Sequence, residues 1–138
     1  MVDGKEIRAR VIIEVVGTPK PHVEETLSKL LESMKNEEGI GILKKEIFEA
    51  QEIEEMKLFS TFIEADIVFK NIEKFLGFCF DYTPSSVEVI EPHSFLLDAR
   101  FFNAMLNDMI TKLHKYTTLI RNLDAEYGLL KKDIEDKK

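Results

Sequence analysis

Residues 57–69 read KLFSTFIEADIVF. Alternate positions separate into two sets. Phe59, Thr61, Ile63, Ala65, Ile67 and Phe69 form one, and Leu58, Ser60, Phe62, Glu64, Asp66 and Val68 the other. Successive side chains of a β-strand point to opposite faces, so the first set reads as a core-facing surface and the second as a half-apolar one. Working outward, IRARVIIEVV at 7–16 has the same period, with Ala9, Val11, Ile13 and Val15 on one face and Gly17 at its end. The stretch after it, TPKPHVEETLSKLLESMKNEEG, changes period. Its prolines suit a first helical turn, whose N–H groups need no partner. Val23, Leu27, Leu30, Leu31 and Met34 make one helical face, and Gly39 is placed to end the helix.

IGILKKEIFEA at 40–50 reads as a second strand. Its alternation slips around Lys44-Lys45, which predicts a bulge or an edge position. QEIEEM reads as a polar turn before the strand at 57–69. Asn71 is a good cap for a short helix, IEKFLGFCF, with Ile72, Phe75, Leu76 and Cys79 inward. DYTPSS reads as a loop and VEVIE, 87–91, as a fourth strand. From about Asp98 a long helix continues to about Ile134, with Ser94 or Asp98 as its cap.

The order is therefore β-α-β-β-α-β-α. Over residues 7–91 this order resembles the ferredoxin-like fold shared by ACT regulatory domains and RNA-recognition domains. The resemblance implies an α+β domain at 1–97 with an antiparallel four-stranded sheet in the order 4-1-3-2 and two helices on one face. Residues 98–138 form a C-terminal helix beyond it. No signature motif of a particular family accompanies the element order.

A solvated sheet face should be mostly polar. Here the face opposite the expected core carries Arg8, Arg10, Ile12, Glu14 and Val16 from the first strand, and Phe62 sits near its middle. We expect something to cover it. The start of the last helix offers Phe101, Phe102, Met105, Leu106, Met109 and Ile110, so Phe62 with Phe101, Phe102 and Met105 is the expected helix–sheet packing, on the chain's own body or on that of a second copy. From Leu106 the apolar surface narrows to a coiled-coil-like seam. Leu106, Leu113, Ile120, Tyr127 and Ile134 fall at heptad position a, and Phe102, Met109, Tyr116, Leu123 and Leu130 at d. The repeat holds for about four heptads, the length at which a coiled coil is argued. We expect Leu106, Met109, Leu113, Tyr116, Ile120, Leu123, Tyr127, Leu130 and Ile134 to form an oligomer interface.

Bulk properties narrow the remaining functions. At 138 residues, with 44% apolar and 33% charged side chains, the chain suits one globular domain. No apolar run approaches the ~20 residues that span a bilayer. The N-terminal stretch lacks the cationic start, apolar middle and small-residue site of a signal peptide. One cysteine, Cys79, forms no internal disulfide. Together these point to a cytoplasmic protein with no membrane association. One Gln among many Lys and Glu resembles the composition of heat-adapted proteins. The net charge of −7 is uneven: residues 1–97 carry 11 Lys/Arg against 19 Asp/Glu, and residues 98–138 carry 8 against 7. An acidic body disfavours phosphate backbones.

Chemistry finds little foothold. His22, His93 and His114 have no HxH, HExxH or CxxC neighbours, so no zinc ligand set is expected. Cys79 reads as core rather than nucleophile. No GxGxxG or GxxxxGK[ST] occurs. Hydroxyls in DYTPSS are explained by turn chemistry. The expectation is a non-enzymatic module with no cofactor, a homo-oligomer of two or more copies, with a different protein as the other possible partner. Two alternatives remain. An ACT-like domain would bind a small molecule near GTPKPH, although that loop lacks a Gly-rich, Asp- or Asn-bearing character. An RNA-binding sheet would stack bases on Phe62, but Glu14, Glu64 and Asp66 lie beside it and argue against nucleic acid.

Overall fold

The computed structural model describes residues 6–137. The elements are β1 (Ile7–Gly17), α1 (Lys20–Asn36), β2 (Ile40–Ile47), β3 (Gln51–Ile53), β4 (Leu58–Phe69), α2 (Ile72–Tyr82), β5 (Ser86–Glu91) and α3 (Ala99–Asp136). They divide into two compact units, the first ending at Leu97 and the second starting at Asp98.

In the first unit an antiparallel sheet runs β2-β4-β1-β5. That is the expected 4-1-3-2 order, in which the stretch quoted at the outset is a central strand. β1 pairs with β4 along its whole length, from Ile7 opposite Phe69 to Gly17 opposite Phe59. A short fifth strand departs from the sequence expectation. Gln51–Ile53, read above as part of a polar turn, pairs with Leu58–Ser60, so the edge beside β4 continues past β2. The turn itself is confined to Glu54–Lys57, where Lys57 takes a positive φ of 54°. The expected irregularity at the lysines is present: the β2–β4 register shifts between Ile42 and Lys44, and Leu43 is exposed.

The core lies between the sheet and its two helices. Ile7, Ala9, Val11 and Ile13 of β1 and Thr61, Ile63, Ala65, Ile67 and Phe69 of β4 are all buried. Val23, Leu27, Leu31 and Met34 of α1 cover them, as do Ile72, Phe75 and Phe78 of α2. Thr61 is a buried hydroxyl in this layer, and it donates to the Phe48 carbonyl. The Phe69 ring packs against Phe75 and Phe78, with centroids 5.0 and 5.1 Å away. Asn71 caps α2, its Oδ1 accepting from the Lys74 amide at 2.9 Å. Tyr82 stacks on Phe78, donates to Glu37 at 3.0 Å and lies 3.0 Å from the Ser33 hydroxyl, joining the ends of α1 and α2. Gly39 is required where it stands: φ is +84°, and an added Cβ would meet the Lys74 stem at 3.1 Å.

The inward face of α2 corrects one detail. Phe78 is fully buried, whereas Leu76 and Cys79 are half-buried. In so short a helix the buried side chains Ile72, Phe75 and Phe78 follow a simple three-residue step, which the i, i+3, i+4, i+7 template misplaces by one position at the end. Truncating Phe78 to Ala should therefore cost about 3–5 kcal/mol of unfolding free energy, and Cys79→Ala well under half of that. Urea denaturation of both variants checks it; equal losses would refute the assignment.

Candidate interaction surfaces

The sheet face turned away from α1 and α2 is organised by cross-strand register. Arg10 stands opposite Asp66 of β4 on one side and Glu88 of β5 on the other, and Lys44 of β2 stands opposite Asp66 in turn. Asp66 is 5% exposed, far less than its flanking cations. Arg10 Nε donates to Asp66 Oδ1 at 3.0 Å, and Arg8 Nη2 reaches Asp66 Oδ2 at 3.5 Å. Arg10 Nε also lies 3.8 Å from Glu64 Oε1. The Arg10 hydrogen bond is the main influence holding the Asp66 carboxyl below its ordinary pKa, against burial, with Arg8 adding to it. Asp66 in turn raises the Arg10 guanidinium. A shallow cleft of about 110 Å³ beside it is lined by Arg10, Lys44, Lys45, Glu46, Glu64 and Asp66. Three cations and three anions share it, so it presents no net charge to select an ion.

Phe62 sits on the same face, opposite Glu14, and stacks on Phe48 with centroids 4.2 Å apart and planes at 21°. One face of its ring is thus already covered by an aromatic from the β2–β3 connection. Glu14 accepts a hydrogen bond from Ser60 at 3.2 Å. The GTPKPH stretch leads directly into α1, where Lys20 pairs with Glu49 at 3.3 Å. In DYTPSS, the amide and hydroxyl of Ser85 both donate to the Ile12 carbonyl, at 2.8 and 3.1 Å, so this serine pins the loop to β1. Burial pushes the Cys79 thiol pKa up, which lowers the fraction present as reactive thiolate. Among the described residues no cluster of His, Cys, Asp and Glu has the form of a metal site. No described helix is long and apolar enough to cross a membrane.

The second unit is a single helix of 38 residues, about 57 Å at 1.5 Å per residue. Asp98 caps it, its Oδ1 accepting from the Phe101 amide at 2.8 Å. Thr111, Thr117 and Thr118 donate to carbonyls four residues back, so their hydroxyls are satisfied within the helix. No residue of α3 is buried. Phe101, Met105 and Met109 are half-buried at four-residue spacing, while Phe102 and Leu106 are exposed. Leu113, Tyr116, Ile120, Leu123, Tyr127, Leu130 and Ile134 are all exposed, by 44% at Tyr116 and up to 65% at Ile120 and Tyr127. They lie along one line of the helix, as the heptad reading places them.

The Arg8–Asp66–Arg10 cluster and the Phe48–Phe62 stack escaped the sequence reading as sites. Their members were visible as residues of one face, but which residue faces which depends on register. A carboxylate two residues from Glu64 and across from a strand carrying Arg8 and Arg10 was the available signal for Asp66.

Such a fold defines a ferredoxin-like α+β protein extended by a long helix. The chain belongs to the MJ0538 family, whose model matches residues 8–138 and so takes in the sheet, its helices and α3 alike. No curated protein and no solved structure matches it.

Asp66 makes a pH-dependent contribution to folding. Its native pKa is depressed, so the stabilisation is present above the ordinary carboxylate range and fades as pH falls through the native value. Asp66→Asn should therefore lower the urea midpoint at pH 7 and flatten the loss of stability below about pH 4. An unchanged midpoint at pH 7 would contradict this role.

Proposed function

We propose that the protein is a non-enzymatic interaction module that self-associates through α3. The supporting observation is the unbroken line of large apolar side chains from Leu113 to Ile134, every one of them exposed on a helix that buries no residue. Large contiguous apolar surface marks an interaction site, and a 3.5-residue repeat of this length is the pattern that a second helix covers. Burying each such side chain contributes about 1.5–3 kcal/mol, enough in sum to offset the loss of translational freedom on association. The rival readings gain no comparable support. The charges around Arg10 and Asp66 balance, and Phe62 is stacked within the domain and flanked by Glu14 and Glu64.

Changing Ile120 and Leu123 together to Asp places four carboxylates in the middle of a paired seam. The double variant should run as a single chain by light scattering at concentrations where the parent is multimeric. Hydrogen-exchange protection of the β1 and β4 amides should be unchanged. The same mass for parent and variant would overturn the proposal.

A further inference from the structure

A second cleft, lying wholly in the first unit, runs along β2. β2 is the outermost strand of the sheet path, so one side of its backbone pairs with no strand. Lys35, in the last turn of α1, stands beside it, and the cleft so formed has a volume of about 330 Å³. Its charged lining is Lys35, Lys44 and Lys45, without a carboxylate. We propose that this cleft binds a small organic phosphate, held by the three lysine ammonium groups.

The charge pattern is unusual for this chain. Single unpaired lysines are ordinary surface. Here three gather around one cavity, in a unit with 11 Lys/Arg against 19 Asp/Glu. Lys20 and Lys29 are paired with Glu49 and Glu25, and Arg8 and Arg10 share Asp66. Among the described residues Lys35, Lys44 and Lys45 form no ion pair. The Lys45 ammonium is instead held below its ordinary pKa, chiefly by the close approach of Lys35, against a smaller opposing pull from Glu32. Two cations turned on one another repel in the free protein, and an anion between them offsets that repulsion. Guarding a sheet edge accounts for Lys44 and Lys45. It gives no reason for a helical lysine to face them.

The edge also narrows the occupant. The bulge at Ile42–Lys44 and the lysines themselves discourage an added strand, which leaves a small molecule. A phosphate monoester carries about two negative charges at neutral pH and three acceptor oxygens, so it can engage all three ammonium groups where a lone carboxylate cannot. Half-buried Ile40 and Ile42 and exposed Leu43 line the same cleft, and they suit an apolar body attached to the phosphate. Gly41 takes no positive φ, and an added Cβ there would meet nothing within 4 Å. Neither conformation nor packing demands glycine at that point, and bare backbone in a strand suits the close approach of a ligand. The smaller cleft beside Asp66 shares Lys44 and Lys45 but balances them with acids, so it lacks this preference.

The test is a titration of the full chain, labelled with nitrogen-15, with phenyl phosphate, following the backbone amides. Saturable shifts should centre on residues 35 and 40–45. Inorganic phosphate should move the same amides with lower affinity. Lys35→Gln together with Lys45→Gln, both at exposed positions, should weaken phenyl phosphate by about tenfold or more. Lys20→Gln together with Lys29→Gln removes the same charge from paired lysines and should change affinity by less than about twofold. No saturable shift, shifts spread over all lysine-bearing segments, or equal weakening by the two double variants would overturn the site. Equal affinity for inorganic and phenyl phosphate would overturn the organic ligand. None of these readouts depends on association through α3.

Discussion

The ladder between β1 and β4 is the constraint from which the first unit follows. These two strands are the longest of the sheet, and they pair without a break from Ile7–Phe69 to Gly17–Phe59. Because the side-chain period is two, one register assigns every residue of both strands to a face, and a slip of one would turn the core outward. Ile7, Ala9, Val11 and Ile13 meet Phe69, Ile67, Ala65 and Ile63 on the inner face, and α1 and α2 close over them. The short edge elements then attach to an arrangement already fixed. β2 does so with a bulge at its lysines, a device that discourages further strands from joining the edge.

The same register assembles the charges on the outer face. Asp66, 5% exposed, would be costly if it stood alone, since an unpaired buried carboxylate loses its hydration. It stands instead between Arg8 and Arg10, both on the neighbouring strand at a two-residue spacing, and their stems shield it while their guanidinium groups satisfy it. Removing the acid leaves two cations on one strand beside each other.

The second unit is governed by different physics. α3 has no core of its own, so its order rests on local terms. These are the Asp98 cap, an Asp108–Lys112 pair at 3.9 Å, and good helix formers through much of its length. Local terms order a helix but do not hide its apolar stripe. Gly128, outside the seam and with open space where a Cβ would be, weakens it further. A helix built this way gains most of its stability where its stripe is covered.

Sequence alone therefore determined a good deal: periodicity gave the element order, the α+β class, the inward faces of β1, β4 and α1 and the heptad line on α3, capping chemistry gave Asn71, and the resemblance of the element order implied the strand order. These are legible because each depends on residues within one or two turns or along one strand. What lay outside its reach depends on pairs distant in the chain. The strand at Gln51–Ile53 exists because Leu58–Ser60 offers it an edge. Phe78 rather than Cys79 enters the core because Phe69 is there to receive it. Asp66 becomes a buried anion, and Phe48 the cover of Phe62, only once the strands stand side by side. A sequence displays the period of each face; the partners across that face are chosen by register, which only the folded sheet supplies.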